Sequence, residues 1–347
     1  MTEQPKISVV IPAWNAGPYL ERCLDSIRQQ TFTAFEVIIV DVDSTDDTAE
    51  IAQAYAEKDK RIKYYKYVFS PCGIARNFGI EKAISPYISF ADADDSLEPD
   101  MLETMYTTAI TENADIVVCD FNMVYPDKVI SSFSRLKTDT FNLTNNSLAD
   151  YYFRFSAGPK PNNYAWSRLY RKQFIEQTGI RFEHVLTSED HLFNLMLSCS
   201  LPRITHVERA VYNYIQREDS SVRQTAKQTD QGIIYYAVFE RARKFLENIE
   251  ENYVSRILGI YAFTRIRSIV FYGQLAALSE DKLQASISSF LEGEKVIHYL
   301  SMCEINGYLS DYCRMHDIEK KQEQLFRELL HLCLQKEAIA LDRGWFA

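Results

Sequence analysis

Three carboxylates stand close together at Asp92, Asp94 and Asp95, directly after a short apolar run that is typical of a buried strand. Carboxylates at this spacing repel one another, so the cluster is stabilised when a divalent cation or several hydrogen-bond donors neutralise it. Their hard oxygen atoms suit Mg²⁺ or Mn²⁺, ions that readily bridge carboxylate and phosphate oxygens. The alternative is an acidic turn in which Asp95 or Ser96 caps a helix. The position at the end of a strand favours metal binding.

A second acidic run, Asp-Val-Asp-Ser-Thr-Asp-Asp, follows the second predicted strand. Its first residue, Asp41, stands at the end of that strand, where a contact to a nucleoside is expected. Asp46 and Asp47 could belong to the same ligand site, or they could be ordinary acids in the first turn of a helix that Ser44 or Thr45 caps. Both interpretations remain open for these two residues.

Two further groups have side chains suited to a phosphorylated ligand or a proton transfer. Arg76, in the run Gly-Ile-Ala-Arg-Asn-Phe-Gly at the front of a predicted helix, carries a guanidinium that suits a diphosphate. Its alternative is a surface arginine that only pairs with the acidic cluster. Glu189 and Asp190 begin another predicted helix, and acids in this position are common because the helix dipole favours them.

Strand and helix patterns alternate along the first third of the chain and must position these residues. This alternation predicts a mostly parallel sheet covered on both faces, with ligands at the carboxyl ends of the strands. One helix is indicated by an apolar stripe at i, i+3, i+4 and i+7 that begins at Leu20. The predicted strands are residues 7–11, 37–40, 62–67, 87–90 and 116–119.

The remainder of the chain changes character near residue 225. Before that point the pattern is mixed, with a helix at 172–178 that ends at Gly179, a helix near 188–198 and an extended segment at 204–214. Beyond it, helical segments are predicted at 231–246, 253–278, 281–291 and 318–341. Two domains are therefore predicted, an α/β domain at 1–225 and an all-helical region at 226–347.

Composition excludes several classes of protein. The net charge of -10 and the pI near 5.2 argue against a protein that coats nucleic acid, which needs a basic surface. The seven cysteines are scattered and form no CxxC, so we expect neither a disulfide framework nor a zinc site. This cysteine usage is typical of a reducing compartment. The N-terminal residues contain no signal-peptide segment, and no run approaches 18 apolar residues. A cytoplasmic protein is therefore expected.

Several short motifs occur in an order that resembles a known family. The chain opens with Val-Val-Ile-Pro-Ala-Trp-Asn at residues 9–15 and Tyr-Leu-Glu-Arg-Cys-Leu-Asp-Ser-Ile at 19–27. Later come the acidic motifs, then Arg-Leu-Tyr at 168–170, Glu-Asp-His-Leu-Phe at 189–193 and Tyr-Asn-Tyr at 212–214. Over about residues 5–225 this order is similar to that of family 2 glycosyltransferases. The resemblance implies the GT-A fold of nucleotide-diphospho-sugar transferases, with a Rossmann-like mixed sheet followed here by the helical C-terminal region.

The resemblance also implies an activity and a set of donor contacts. It implies a hexosyltransferase that moves a sugar from a nucleotide-diphosphate donor to a sugar acceptor with inversion, in the synthesis of cell-surface polysaccharide. Pro12, Trp14 and Asp41 would line the nucleoside pocket. Arg76 would approach the donor, and Asp92 would contact its ribose side. Arg217 would close over the diphosphate.

Two residues would carry the reaction itself, again by resemblance. Asp94 would bind a divalent metal, Mn²⁺ or Mg²⁺, on the diphosphate. Asp190 would be the general base, and its place at a helix start is expected to hold it as an anion ready to accept a proton. One departure concerns the base of the nucleotide, because the family commonly has Asp-Asp-Gly-Ser where this chain has Asp41, Val42, Asp43 and Ser44. Asp43 could supply the missing carboxylate, and a uridine diphosphate sugar is the expected donor.

The helical region and the competing functions leave further alternatives. Aromatic residues between positions 235 and 272 lie among arginines and lysines, and could face a lipid-linked acceptor and a membrane surface, pack as an ordinary core, or form a homodimer.

Two other functions compete with that of a glycosyltransferase. The first is a non-catalytic nucleotide-sugar-binding protein, and the second is a nucleotidyltransferase. A nucleotidyltransferase would be expected to have a Gly-rich basic loop near the N-terminus, and residues 12–18 contain no Lys or Arg.

Overall fold

The computed structural model describes residues 4–305 apart from 69, 133–137, 157–161, 218–226, 228, 250–252 and 276. The chain divides into two compact units. The first comprises Met1–Thr144 and Asn162–Arg217, and the second comprises Asn145–Pro161 and Glu218–Ala347. The predicted domains at 1–225 and 226–347 stay a prediction, and the compact units differ from them in assigning residues 145–161 and 218–225 to the second unit. The predicted helix at 318–341 lies outside the described residues.

In the described part of the first unit, ten strands form one mixed sheet in the order β3-β2-β1-β4-β9-β6-β10-β5, with β7 on β6 and β8 on β10. Strands β3, β2, β1 and β4 run parallel, as the sequence predicts, and β9 joins β4 to β6 in antiparallel fashion. The strands are β1 (Ile7–Ala13), β2 (Phe35–Val42), β3 (Ile62–Tyr67), β4 (Tyr87–Phe90), β5 (Ser96–Leu97), β6 (Ile116–Val124), β7 (Val129–Ser132), β8 (Asp139–Asn142), β9 (Arg168–Arg171) and β10 (Arg203–Ile215).

Burial explains why β1 and β2 are mostly apolar. Every residue of both strands is buried, because helices cover both faces of this part of the sheet. The predicted apolar stripe on α1 is confirmed, since Leu20 and the residues that follow it at i+3, i+4 and i+7 are fully buried. The helices of the first unit are α1 (Gly17–Arg28), α2 (Thr48–Lys58), α3 (Cys72–Lys82), α4 (Met101–Thr111), α6 (Lys172–Thr178) and α7 (Glu189–Cys199).

Helix α3 lies unusually close to β1. A Cβ atom built on Gly79 would stand 2.2 Å from Cγ1 of Val10. No larger side chain fits there without moving the helix off the sheet. The predicted end of α6 is also confirmed, because Gly179 adopts the left-handed conformation with φ of 67°.

The second unit is helical in the residues described. Its helices are α5 (Asn145–Ser156), α8 (Gln231–Leu246), α9 (Val254–Leu275), α10 (Glu280–Leu291) and α11 (Glu294–Ile305). Helix α9 packs against the other four. Five of the aromatic residues considered for a membrane face are buried in this unit: Tyr235, Phe239, Tyr253, Tyr261 and Phe263. These five therefore pack as a core. No helix in the described ranges is long and apolar enough to cross a membrane.

Candidate active site

Several of the predicted site residues lie at the carboxyl ends of β1, β2 and β4, namely Pro12, Trp14, Asp41, Asp43, Asp92 and Asp94. The parallel register pairs Ala13 with Asp41 and Val10 with Phe90, so the residues that follow these strands emerge at one edge of the sheet. Trp14 follows β1 and Asp92 follows β4 at this edge. The sheet topology therefore brings Trp14 and Asp92 to the same edge, although they are about eighty residues apart in the sequence.

The three carboxylates of the acidic loop, residues 92–95, are held in different ways. Asp95 is buried and accepts hydrogen bonds from Oη of Tyr212 and the backbone N–H of Ile215, both at 2.8 Å. Burial, together with the charges of Asp94 and Asp92, raises the pKa of Asp95 well above its usual range. The side chains of Asp92 and Asp94 are each 30% exposed. Asp95 thus anchors the loop to β10, and the other two carboxylates are available to a ligand.

Tyr212 on β10 holds the acidic loop through two hydrogen bonds of its hydroxyl group. Its hydroxyl accepts a hydrogen bond from the backbone N–H of Asp92 at 3.1 Å while it donates to Asp95. Two side chains of helix α1 donate hydrogen bonds to backbone carbonyl oxygens of the same loop. Arg22 donates to the carbonyl of Asp94 at 2.6 Å, and the thiol of Cys23 donates to the carbonyl of Asp92 at 3.5 Å. Tyr212 lies in the Tyr-Asn-Tyr motif, from which this anchoring role was not predicted.

Arg217 reaches the acidic loop, as the predicted closure over a diphosphate requires. Its guanidinium forms an ion pair with the carboxylate of Asp94. The carbon at the centre of that guanidinium lies 4.0 Å from the ring centroid of Tyr19 on α1, a cation–π distance. Arg217 thus stands where it could exchange the carboxylate for a phosphate group.

Arg76 connects the acidic loop to helix α7. Its guanidinium donates to Asp92 at 2.8 Å and to Glu189 at 2.6 Å, and its side chain is only 3% exposed. Gly73 permits this close packing, since a Cβ on it would lie 3.1 Å from Cγ of Glu189 and 2.9 Å from Cβ of Phe182. Arg76 does pair with the acidic cluster, but as a buried bridge and not as a surface arginine. Its predicted approach to a donor stays a prediction.

Asp190 is the second residue of α7 and lies beside this bridge. The backbone N–H of His191 donates to it at 2.7 Å. Burial, together with the charge of Glu189, raises the pKa of Asp190 to about 7. The stabilisation of the anion that a helix start is expected to give is therefore only one of several contributions, since burial and the neighbouring carboxylate raise this pKa more than one N–H bond and the charge of Arg76 lower it. A pKa near neutrality suits a group that must take up a proton and release it.

The predicted nucleoside side of the site lies at the ends of β1, β2 and β3. Asp41 is buried and accepts from the backbone N–H of Ser44 at 3.0 Å and from Oη of Tyr64 at 2.8 Å. Pro12 is buried within β1, whereas Trp14 is 53% exposed at its end. An exposed indole at this edge provides a flat apolar surface for a nucleobase.

Asp43 adopts the left-handed conformation that the glycine of the family motif suggested. Its φ is 61°, and its carboxylate forms an ion pair with Lys66 at 3.1 Å. Val42 beside it is buried. The carboxylate at position 43 therefore points outward and is more than half exposed, where a ligand can reach it.

Asp46 has a structural role that neither interpretation foresaw. Its carboxylate accepts from the backbone N–H of Gly17 at 2.9 Å, at the start of α1, and from Oγ1 of Thr48 at 2.5 Å. These and the bond from the N–H of Thr48 lower the pKa of Asp46. Asp46 thus accepts a hydrogen bond from the start of a helix 29 residues earlier in the chain, because β1 and β2 are neighbours.

The carboxylates fit a metal ion only if a substrate supplies further ligands. Among the described residues, no three His, Cys, Asp or Glu side chains are arranged to hold a metal ion by themselves. Asp94 offers one accessible carboxylate, and Mg²⁺ is often held by one or two carboxylates with the remaining ligands from water and phosphate. The donor set thus suits an ion that arrives with a diphosphate.

Comparisons with solved structures identify the fold. A crystal structure of S. aureus TarS residues 1–349 in complex with UDP-GlcNAc matches with a TM-score of 0.69 and 21% identity, covering 93% of this chain and 92% of that one. The mannosyltransferase PcManGT from Pyrobaculum calidifontis, in complex with GDP-Man and Mn²⁺, matches with a TM-score of 0.54 and 15% identity, covering 96% of this chain and 87% of that one. The fold is therefore that of the GT-A glycosyltransferases, as predicted.

Sequence comparisons identify the family. The family model described as glycosyl transferase family 2 matches residues 8–179. YibD of Escherichia coli K12, an uncharacterized glycosyltransferase, is 28% identical and the match covers 74% of this chain and 75% of YibD. EpsH of Bacillus subtilis 168, assigned as a glycosyltransferase, is 30% identical over 71% of this chain and 70% of EpsH. The chain belongs to glycosyl transferase family 2, and it is a glycosyltransferase.

Proposed function

We propose that this enzyme transfers a hexose from a uridine diphosphate sugar to a sugar acceptor, with inversion at the anomeric carbon. The observation that carries the proposal is the bridge that Arg76 makes between Asp92 and Glu189. This bridge holds the acidic loop, which can receive a diphosphate, against the helix start that presents Asp190. A donor-binding group and a proton acceptor with a pKa of about 7 are thereby fixed next to each other.

The residues support a single displacement. The acceptor oxygen forms a bond to C1 of the donor sugar while the bond from C1 to the diphosphate oxygen breaks, and the acceptor's proton passes to the carboxylate of Asp190. Negative charge develops on the leaving diphosphate, where Arg217 can stabilise it electrostatically after leaving Asp94. A divalent ion held by Asp94 would add Lewis-acid stabilisation of the same charge when it is bound. The role of Arg76 is to hold Asp92 and the start of α7 in place.

The nucleotide is proposed from the nucleoside side of the site. Trp14 supplies a stacking surface, and Asp41 and Asp43 supply carboxylates of which the second is exposed. The structural neighbours were solved with UDP-GlcNAc and with GDP-Man, so both bases occur on this fold. We choose uridine because the opening motifs and Asp41 match the family pattern.

The acceptor and the setting belong to the same proposal. The acceptor would be a glycan or lipid-linked glycan in cell-surface polysaccharide synthesis, and the enzyme would work in the cytoplasm or at the inner face of the membrane. Membrane contact and a homodimer through the helical unit are parts of this proposal. No role for nucleic acid is proposed, in line with the net charge of -10.

A competition experiment tests the proposed donor class. Binding of UDP, GDP, CDP and dTDP is measured by calorimetry with Mn²⁺ or Mg²⁺ present, and release of free sugar from each nucleotide sugar is followed in parallel. UDP should bind most tightly, and a UDP-sugar should be hydrolysed slowly without acceptor. Tighter binding of GDP or CDP would contradict the choice of uridine. Binding of every nucleotide without turnover, with or without acceptors, would favour a non-catalytic protein, and nucleotide in the product would favour a nucleotidyltransferase.

A further inference from the structure

A cavity of about 680 Å³ opens on the first unit beside the acidic loop. It is formed by the ends of β5, β6 and β10, the start of β7 and one face of α1. Arg217, the partner of Asp94, forms part of its wall. In the described part of the chain, the residues assigned above to the nucleoside side do not line it. The cavity therefore adjoins the diphosphate end of the proposed donor site and is distinct from the nucleoside end.

A row of hydrogen-bonded polar side chains runs from β7 across β6 and β10 to Glu98, the residue that follows β5. Ser131 on β7 donates to Oδ1 of Asn122 at 2.7 Å. Nδ2 of Asn122 donates to Oδ1 of Asn213 at 2.9 Å, and Nδ2 of Asn213 donates to Oε1 of Glu98 at 2.8 Å. Three of these residues, Glu98, Asn122 and Asn213, line the cavity.

This row has hydrogen-bonding capacity left for a ligand. A side-chain amide has two N–H hydrogens, and in the described structure each of the two asparagines donates one of them to its neighbour in the row. One hydrogen on each amide and the second oxygen of the Glu98 carboxylate are then available. A ligand that matches them must both accept and donate hydrogen bonds, as hydroxyl groups do.

Besides Arg217, the lining of the cavity includes aromatic and aliphatic side chains, among them Tyr19, Tyr125 and Val129. Apolar walls around a few placed polar groups are typical of small-molecule sites, and the volume lies within their usual range of roughly 300–1,000 Å³. A sugar ring presents C–H groups on its faces and hydroxyl groups on its rim, which matches this division. An alkyl chain would leave the amide row unpaired, at an unfavourable free energy.

We propose that this cavity binds a saccharide unit of the acceptor. The proposal rests on the proposed function, because it places a saccharide unit of the second substrate beside Arg217 and its partner Asp94, at the proposed diphosphate end of the donor. Arg217 and Asp94 form the boundary between the two substrates, and the row of Glu98, Asn213 and Asn122 selects a ring with neighbouring hydroxyl groups.

Filling the cavity tests the proposal, and β7 offers a matched pair of positions. Val129 lines the cavity and is 61% exposed, so Val129→Trp places an indole in it with little risk to folding. The next residue, Ile130, is 40% exposed and does not line it, so Ile130→Trp adds the same ring on the same strand outside the cavity. Tyr125→Ala is a second cavity variant that removes a wall without adding bulk.

The probes are the methyl glycosides of glucose, galactose, mannose, N-acetylglucosamine and glucuronic acid, titrated by saturation-transfer NMR in the presence of UDP. At least one should bind the parent protein and Ile130→Trp equally. Val129→Trp and Tyr125→Ala should each weaken its binding by about tenfold or more. Absence of binding to the parent protein, or equal binding to Val129→Trp, would overturn the proposal.

Calorimetry with UDP on the same four proteins separates this proposal from the donor assignment. UDP binding should be equal in all four. Loss of UDP binding in Val129→Trp alone would make the cavity part of the donor site and would overturn the acceptor proposal. If UDP binds to none of them, the proposed donor is wrong, and the glycoside titration still decides whether the cavity holds a sugar.

Discussion

Replacing Arg76 with methionine removes the charge that joins the two halves of the proposed active site while keeping a side chain of similar length. The guanidinium is 3% exposed, and its partners Asp92 and Glu189 are 30% and 13% exposed. Removing one partner of a buried ion pair leaves an uncompensated charge and typically costs about 3–5 kcal/mol. Because Asp92 keeps some contact with water, we expect a loss of about 3 kcal/mol in the free energy of unfolding.

The assay is urea denaturation followed by tryptophan fluorescence, with Arg209→Met as the control. Arg209 pairs with Asp100 at 2.7 Å, but its side chain is 52% exposed, so its removal should cost at most about 1 kcal/mol. Adding Glu189→Gln to Arg76→Met should recover part of the loss, since it removes one of the uncompensated charges. If Arg76→Met is no less stable than Arg209→Met, the bridge is not a buried ion pair of this strength.

The same substitution should also change the dependence of activity on pH. The charge of Arg76 lowers the pKa of Asp190, which burial and Glu189 raise to about 7. Without Arg76 that pKa must rise further. Activity requires the deprotonated base, so the acid limb of the kcat profile should move to higher pH in Arg76→Met. An unchanged acid limb would mean that Asp190 is not the titrating group.

Three further predictions concern the metal and the scaffold. Asp94→Asn should weaken donor binding measured by calorimetry with Mn²⁺ and abolish transfer, and unchanged metal-dependent binding would refute the assignment of Asp94. Glu36 is buried and accepts from Lys63 at 2.7 Å and from three other donors, and its hydrogen bonds lower its pKa against the opposing effect of burial, so Glu36→Gln should cost about 1.5–3 kcal/mol at pH 7. This difference should shrink as the pH falls from the ordinary glutamate pKa of about 4.3 through the lowered pKa of folded Glu36, and a constant difference would contradict the charge-based account. Gly79→Ala should lower stability by about 1–3 kcal/mol in thermal unfolding despite the better helix propensity of alanine, because of the contact with Val10; a gain in stability would show that α3 can shift freely.

Local patterns were enough to predict six of the ten described strands, the sheet edge and several backbone details, whereas β5, β7, β8 and β9 were not predicted. Continuous apolar runs identified the buried parallel strands, because a strand covered on both faces needs no polar alternation. The left-handed conformation of Asp43 followed from the glycine that commonly occupies its place in the motif. The stripe on α1 and the end of α6 at Gly179 were predicted from periodicity and from glycine's conformational freedom.

Contacts between distant segments could not be predicted from these patterns. The bond from Arg76 to Glu189 joins residues 113 positions apart, and the anchoring of Asp95 by Tyr212 joins residues 117 apart. Nothing in the local sequence indicates which of three neighbouring aspartates is buried. The raised pKa of Asp190 was missed for the same reason, because burial is a property of the packed structure and helix position alone suggests the opposite shift.

The most direct test of the central claim compares Asp190→Asn with Glu189→Gln in steady-state transfer, with donor binding titrated in parallel. Asp190→Asn keeps the shape of the side chain but cannot accept the proton, so kcat should fall by roughly 10²–10⁴-fold while donor binding hardly changes. Glu189→Gln should have a milder effect on kcat and should move the acid limb to lower pH, since the charge of Glu189 raises the pKa of Asp190. Near-normal turnover by Asp190→Asn would contradict the account, and an inactive Glu189→Gln beside it would assign the base to Glu189 instead.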